Sequence, residues 1–288
     1  MHNAVIDWYG RHARDLPWRA ADRTPWGVLV SEFMLQQTPV ARVEPVWRAW
    51  LDRWPTPADL AVEQPGTAIR AWGRLGYPSR ALRLHAAAAV IIGRHAGEVP
   101  RSYHTLRTLP GVGEYTAAAI ASFAYGQRQV VLDTNVRRVL ARSVAGLARP
   151  GITTTASERR LAESMLPDDG QAAAAWSVAA MELGALVCTA RSPTCAACPI
   201  VGSCAWRLAG SPPFDGPARQ SQPWAGTDRQ ARGALMAVLR DELVAVPIAR
   251  LTAAWPHDPI QRDRALAGLV ADGLVEPEDA EHYRLPQA

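Results

Sequence analysis

The chain of 288 residues contains no lysine; all 31 of its basic side chains are arginine. A lysine Schiff base is therefore excluded anywhere in the protein, and only the terminal amine of Met1 could substitute for one. Cysteine is almost as scarce, with four residues. No apolar run is long enough to span a bilayer. The opening Met1-His2-Asn3 lacks a basic segment followed by an apolar one, so no signal peptide is expected and the sequence predicts an intracellular protein. Apolar residues make up 48% and charged residues 20%, which excludes disorder, collagen and coiled coil for the bulk of the chain. The length allows two or three compact units.

The net charge of +4 is unevenly spread. Arginine outnumbers Asp and Glu by 23 to 16 over residues 1–208 and trails them by 8 to 11 over residues 209–288. The first part favours a polyanionic partner; the tail does not. Up to about residue 200 the pattern is helical. Apolar residues recur at three- and four-residue spacings in Val43-Val46-Trp47-Trp50-Leu51 and in Ala81-Leu82-Leu84-Ala88. Pro and Gly mark stops at Trp54-Pro55-Thr56-Pro57, from Gly73 to Pro78 and at Pro150-Gly151. Residues 209–227 are rich in Pro, Gly and Ser and read as a linker. Beyond it, helices are predicted over 228–241, 247–254 and 259–273, followed by two short strands at Leu274-Val275 and Tyr283-Arg284-Leu285. The expected organisation is an all-α domain over 1–208, the linker, and a small, mainly helical unit over 228–288 with a winged-helix-like order.

The four cysteines are Cys188, Cys195, Cys198 and Cys204, confined to one seventeen-residue stretch. An intracellular setting argues against disulfides. A metal site with four thiolate ligands explains the clustering better, and zinc and an iron–sulfur cluster both accept such ligands. The spacing C-x6-C-x2-C-x5-C matches neither the paired zinc pattern nor the ferredoxin run.

Leu109-Pro110-Gly111-Val112-Gly113-Glu114-Tyr115 precedes an Ala-rich helix. Glycines on either side of one apolar residue allow a tight turn with positive φ and close approach of another backbone. Its amides, beside a helix N-terminus, suit phosphate without reading sequence. Two carboxylates stand out. Asp133, after the apolar run Val130-Val131-Leu132, is placed to cap a helix and to hold a fixed negative charge. Glu32 lies within an apolar stretch, where burial raises a carboxyl pKa and makes a usable general acid near neutral pH. The plainer reading of Ser31-Glu32 is a helix start; the polar Gln36 and Gln37 nearby favour function.

Together these features resemble the adenine DNA glycosylases of the MutY type, within the endonuclease III superfamily of helix–hairpin–helix glycosylases. The likeness covers about residues 5–207. It is carried by Asp15-Leu16-Pro17-Trp18-Arg19, Ser31-Glu32-Phe33-Met34-Leu35-Gln36-Gln37-Thr38, Leu75-Gly76-Tyr77, the glycine hairpin, Leu132-Asp133-Thr134-Asn135-Val136 and the four cysteines. The resemblance implies a two-lobed helical fold and a four-iron four-sulfur cluster on Cys188, Cys195, Cys198 and Cys204. It implies that Glu32 protonates adenine N7 and that Asp133 stabilises the cationic sugar or traps it covalently. Tyr115 and Asn135 would orient the two carboxylates. Gln37 and Tyr77 would fill and wedge the helix near the partner base, Arg14 and Arg19 line the adenine pocket, and Gly111, Val112 and Gly113 offer amides to phosphate. The implied partner is duplex DNA with adenine opposite 8-oxoguanine or guanine, met by a monomer in the cytoplasm at the nucleoid.

Departures accompany the likeness. Pro78 stands where the family often has a second tyrosine, and the segment from Arg19 to Glu32 is a residue longer than in some relatives. Residues 228–288 are too short and too helical for the β-rich Nudix-like domain that usually reads 8-oxoguanine. Tyr115 occupies the place of the lysine nucleophile of endonuclease III-like lyases, which argues against the first rival. A thymine or uracil mismatch glycosylase is the second, with Glu32 as the discriminator. A non-catalytic DNA-binding module is the third, weakened by the presence of both carboxylates.

Overall fold

The computed structural model describes residues 1–216 and 225–287. The part of the expected linker at 217–224 lies outside the described residues. The helices, in chain order, are α1 (His2–His12), α2 (Pro25–Leu35), α3 (Val40–Arg53), α4 (Pro57–Ala61), α5 (Pro65–Trp72), α6 (Ser79–His95), α7 (Tyr103–Leu106), α8 (Glu114–Tyr125), α9 (Thr134–Ser143), α10 (Ala156–Ser164), α11 (Gly170–Leu186), α12 (Ala205–Leu208), α13 (Asp228–Asp241), α14 (Ile248–Ala254) and α15 (Pro259–Ala271). Three short strands, β1 (Val246–Pro247), β2 (Glu276–Pro277) and β3 (His282–Arg284), lie near the C-terminus. The fold is mainly helical, as the sequence predicts. Among the described residues no helix is long and apolar enough to cross a membrane.

The chain divides into two compact units. The first takes in residues 1–32, 100–108 and the described residues from 112 to 216. Its centre is α11, which buries Ala173, Trp176, Ala179, Ala180 and Leu183 and packs against α1, α8 and α9. The amphipathic α9 contributes Val136, Val139 and Leu140 to the same core. Helix starts are locally specified. Asp169 caps α11 by accepting the Ala172 amide at 2.8 Å, and Thr155 with Glu158 forms a capping box on α10. At Gly184 there is no room for a side chain. A Cβ there would lie 2.7 Å from Asn135 Cβ and 2.9 Å from the Asn135 carbonyl oxygen. That close approach sets the distance between α9 and α11.

The second unit takes in residues 33–99, 109–111 and 225–287. Trp50, Trp54 and Trp72 meet edge to face within it, Trp50 lying 4.6 Å from Trp54 and 5.7 Å from Trp72 between ring centroids. Near the C-terminus the order is helix, strand, two helices, two strands. The sheet order is β1-β3-β2, antiparallel throughout, with Val246 opposite Tyr283 and Glu276 opposite Arg284. This is a winged-helix-like order, with two corrections to the sequence reading. The strand expected at Leu274-Val275 begins at Glu276, because both of those residues are buried in the core instead. A third strand, β1, was not expected; two residues are too few to show alternation. Gly66, on α5, donates its amide to the Pro286 carbonyl at 2.7 Å, and a Cβ on Gly66 would lie 2.6 Å from that oxygen.

Gly184→Ala should push α11 away from α9 and cost about 1–3 kcal/mol of stability. Thermal denaturation checks this; an unchanged melting temperature would show that the two helices are not locked at that point.

Candidate active site

α2 is apolar almost throughout, burying Val28, Leu29, Val30, Phe33 and Met34. Glu32 sits well inside it at 6% exposure, so the reading of Ser31-Glu32 as a helix start does not hold. The Glu32 carboxyl accepts a hydrogen bond from the Tyr115 hydroxyl, which projects from the first turn of α8. Burial pushes the Glu32 pKa up to about 7 against the downward pull of that hydrogen bond; the Asp133 charge raises it further and Arg19 lowers it. The Tyr115 hydroxyl, buried beside two carboxylates, is itself pushed well above its ordinary value.

Asp133 caps α9. Its Oδ1 accepts the amides of Asn135 at 2.9 Å and Val136 at 2.6 Å, and its Oδ2 accepts the Asn135 side-chain amide at 2.8 Å. Burial raises the Asp133 pKa, while these donors and the charge of Arg138 favour the anion. The two carboxylates therefore share one neighbourhood with opposite support. Glu32 has a single hydroxyl donor, and Asp133 has three N–H donors at the positive end of a helix.

Asn135 is fixed in turn. Arg138 Nη2 donates to Asn135 Oδ1 at 2.7 Å and to the Gly184 carbonyl at 2.6 Å, and Arg138 Nε donates to the Cys188 carbonyl at 2.6 Å. A hydrogen-bonded path thus runs from Asp133 through Asn135 and Arg138 to the first cysteine. Arg142 adds a second tie, donating to Cys188 Sγ at 3.4 Å and to the Thr189 carbonyl at 2.7 Å. Cys188, Cys195 and Cys198 are half-buried and Cys204 is buried. Burial pushes the Cys198 thiol up, and the neighbouring Cys188, Cys204 and Cys195 raise it further. Among the described residues, no three His, Cys, Asp or Glu side chains are grouped closely enough to hold a single metal ion.

The expected pocket arginines are both engaged. Arg14 grips Glu182 through Nε at 2.7 Å and Nη2 at 2.8 Å, and Arg19 Nη1 reaches the same carboxylate at 2.8 Å. Glu182 is fully buried. Burial alone would raise its pKa, but the Arg14 and Arg19 contacts outweigh this and hold it at about 2. Sequence reasoning missed Glu182. The signal was available, since Glu182 stands alone in the apolar run Ala179-Ala180-Met181-Glu182-Leu183, the argument already applied to Glu32.

Gln37 and Tyr77, in the second unit, both adopt positive φ, at 58° and 49°. Both are exposed, Tyr77 at 49%. Non-glycine residues rarely take this conformation, and two together mark a site where the surrounding structure imposes it. The buried Arg80 is what they share. Its Nη1 donates to the carbonyls of Phe33, Met34 and Gln36, and its Nη2 to Thr38 Oγ1 and the Gly76 carbonyl. Its guanidinium lies 5.5 Å from the Tyr77 ring centroid. In the hairpin only Gly111 has positive φ, +79°, and a Cβ there would lie 2.8 Å from both Phe33 Cε1 and Arg83 Cβ. Gly113 has an ordinary negative φ and open space before it, so the expectation of positive φ holds for one glycine of the pair. Val112 between them is buried.

Residues 30–165 match the model of the HhH-GPD superfamily base excision DNA repair proteins, and the chain belongs to that superfamily. An adenine DNA glycosylase of Mycobacterium tuberculosis (strain CDC 1551 / Oshkosh) is 52% identical over 282 residues, covering 98% of this chain and 92% of its own length. The adenine DNA glycosylase of Homo sapiens is 41% identical over 71% of this chain and 39% of its own length. A solved thermostable thymine-DNA glycosylase matches with a TM-score of 0.65 at 25% identity, over 72% of this chain and 95% of that one. Within the superfamily, the chain belongs to the adenine DNA glycosylase family.

The raised pKa of Glu32 has a stability consequence. Its folded pKa of about 7 exceeds the unfolded value near 4.5, so folding is penalised as pH rises from one value through the other. Glu32→Gln should raise the melting temperature at pH 8, by up to ~3 kcal/mol of stability, and change little at pH 4. Equal melting temperatures at pH 8 would contradict burial as the cause.

Proposed function

We propose that the protein is a monofunctional adenine DNA glycosylase of base excision repair, hydrolysing the N-glycosidic bond of adenine paired with 8-oxoguanine or guanine in duplex DNA. The observation that carries this is the unequal pair of carboxylates. Glu32, with a pKa near 7, holds a proton to give, while the Asp133 carboxylate accepts three N–H groups that favour its anion against burial. The target adenine first leaves the stack, at a cost of a few kcal/mol. Glu32 passes its proton to N7, the bond from C1′ to N9 breaks, and its electron pair leaves with the base. The Asp133 carboxylate lies against the resulting oxocarbenium ion or bonds to it transiently. Water then adds to C1′ and its proton returns to Glu32. Tyr115 orients Glu32, and Asn135 orients Asp133. With no lysine, the chain has no side-chain amine for a lyase step. Arg14 and Arg19, set in place by Glu182, line the adenine pocket. Gln37 and Tyr77 fill and wedge the duplex beside the opposing base, and the amides of Gly111, Val112 and Gly113 meet phosphate. The chain-order division assigns catalysis to residues 1–208 and leaves 228–288 as an added unit. The protein works as a monomer, in the cytoplasm at the nucleoid.

Cys188, Cys195, Cys198 and Cys204 would hold a four-iron four-sulfur cluster. The donor set suits it: four half-buried or buried thiols in one loop, with Arg142 directed at Cys188 Sγ. When bound, the cluster supplies a staple for the loop after α11. Protein purified without oxygen should carry iron and sulfide in equal amounts with broad visible absorbance, and Cys198→Ser should lose both. Zinc in place of iron would overturn the assignment.

Single-turnover cleavage of a duplex holding one adenine, opposite 8-oxoguanine or guanine, tests the activity. Strand breaks should appear only after hot alkali, and Glu32→Gln should slow adenine loss at least about a hundredfold. The rate should fall above about pH 7, where Glu32 loses its proton; Tyr115→Phe, which removes a contact that lowers this pKa, should move that fall to higher pH. Loss of mispaired thymine with adenine left intact would overturn the reading.

A further inference from the structure

The loop that carries Tyr77 has every preceding carbonyl occupied. Arg240 Nη1 donates to the Gly73 carbonyl at 2.7 Å. Arg42 donates to the Arg74 carbonyl. Thr38 Oγ1 donates to the Leu75 carbonyl at 3.2 Å, and the Gly76 carbonyl accepts from Arg80 Nη2 at 2.9 Å and Trp72 Nε1 at 3.0 Å. Of these five donors, Trp72 and Arg80 flank the loop, and Thr38 and Arg42 stand 37 and 32 residues before the carbonyls they reach. The fifth, Arg240, comes from α13, 167 residues further along the sequence.

Arg240 does not act alone. The C-terminal segment grips α5 at both ends. The Gly66 amide donates to the Pro286 carbonyl at 2.7 Å at the start of α5, and Arg70 Nη2 donates to the Glu242 carbonyl at 2.7 Å near its end. Gly66 is required for this fit, since a Cβ there would lie 2.6 Å from the Pro286 oxygen and 2.9 Å from Leu285 Cβ. α5 leads directly into the Gly73–Tyr77 loop. Residues 209–288 carry 8 arginines against 11 acids, which disfavours direct contact with a DNA backbone. The segment is thus poorly charged to touch DNA and well placed to hold a part that does.

We propose that the winged-helix-like segment 225–287 is a brace for the Tyr77 loop, and that Arg240 is the positioning residue through which it influences discrimination of the base opposite adenine. This rests on the reading of Tyr77 as the wedge. Arg240 reaches no proposed reacting group. Its effect passes from the Gly73 carbonyl along four pinned peptide units to Tyr77, whose positive φ depends on the loop keeping its path.

The test uses the full chain and measures single-turnover adenine loss opposite 8-oxoguanine and opposite guanine for Arg240→Ala, Tyr77→Ala and the double variant, with melting temperatures for each. Arg240→Ala should slow the 8-oxoguanine duplex on the order of tenfold or more and narrow the ratio between the two duplexes. It should add nothing in the Tyr77→Ala background, and Arg240→Lys should recover most of the rate. Should Arg240→Ala fail to fold, Gly66→Ala loosens the same grip and should narrow the same ratio. An equal loss on both duplexes that adds to Tyr77→Ala would reduce Arg240 to a stabilising contact and overturn the brace. Wild-type rates and ratio in Arg240→Ala would do so too, with the wedge reading intact if Tyr77→Ala is impaired. Wild-type behaviour of Tyr77→Ala removes the wedge reading and the brace with it.

Discussion

The guanidinium donating to a backbone carbonyl is the contact on which the working parts of this protein depend. A loop that leaves regular structure has carbonyls without ladder partners, and burying them unpaired costs on the order of 1–3 kcal/mol each. Arginine answers several at once, because its planar fork presents five N–H groups in fixed directions. Arg80 collects the open carbonyls at the end of α2, Arg138 and Arg142 those around Cys188, and Arg137 those of Gly151 and Thr153. A lysine ammonium, with three donors at a single point, could not match five N–H groups spread over a planar fork. A lysine-free composition is thus compatible with a scaffold of bolted loops, whatever its genomic origin.

The chemistry uses the same low dielectric in two opposite ways. Glu32 is buried with one hydroxyl donor, so burial prevails and holds its pKa at about 7. Asp133 is supplied with donors from the start of α9, and these favour its anion against the upward push of burial. Neither state is a property of the residue type. Each follows from where a helix begins: α2 starts seven residues before Glu32, and α9 starts at the residue after Asp133. The family likeness assigns the reaction class; this contrast in local hydrogen bonding supports the proposed division of the two groups into acid and anion.

Much of this was legible in the sequence because it is local. Asp133 precedes an amphipathic helix, the cysteines cluster within one stretch, and Glu32 interrupts an apolar run, so each betrays itself within a dozen residues. The helices over 228–241, 247–254 and 259–273 follow from periodicity almost to the residue. What escaped is long-range or very short. Glu182 meets Arg14 and Arg19 across more than 160 residues, and no spacing rule links them. Arg240 and Gly73 are as far apart in the chain. β1 has two residues, too few for a pattern, and Leu274-Val275 read as a strand because a buried apolar pair looks alike in a strand and in a core turn. The positive φ of Gln37 and Tyr77 was also hidden, because it is imposed by Arg80 and the fixed loop rather than by the residues themselves.

Those two left-handed residues have a kinetic meaning. Holding a non-glycine residue there costs about 1 kcal/mol or more, and the folded protein has absorbed that cost before any duplex arrives. On the wedge reading proposed above, inspection is then carried out by a tool already shaped. The slow step of a search would lie in the nucleic acid, in the parting of stacked bases. Each encounter with an undamaged pair could end as quickly as it began, which leaves the enzyme free to sample many pairs for every one it keeps.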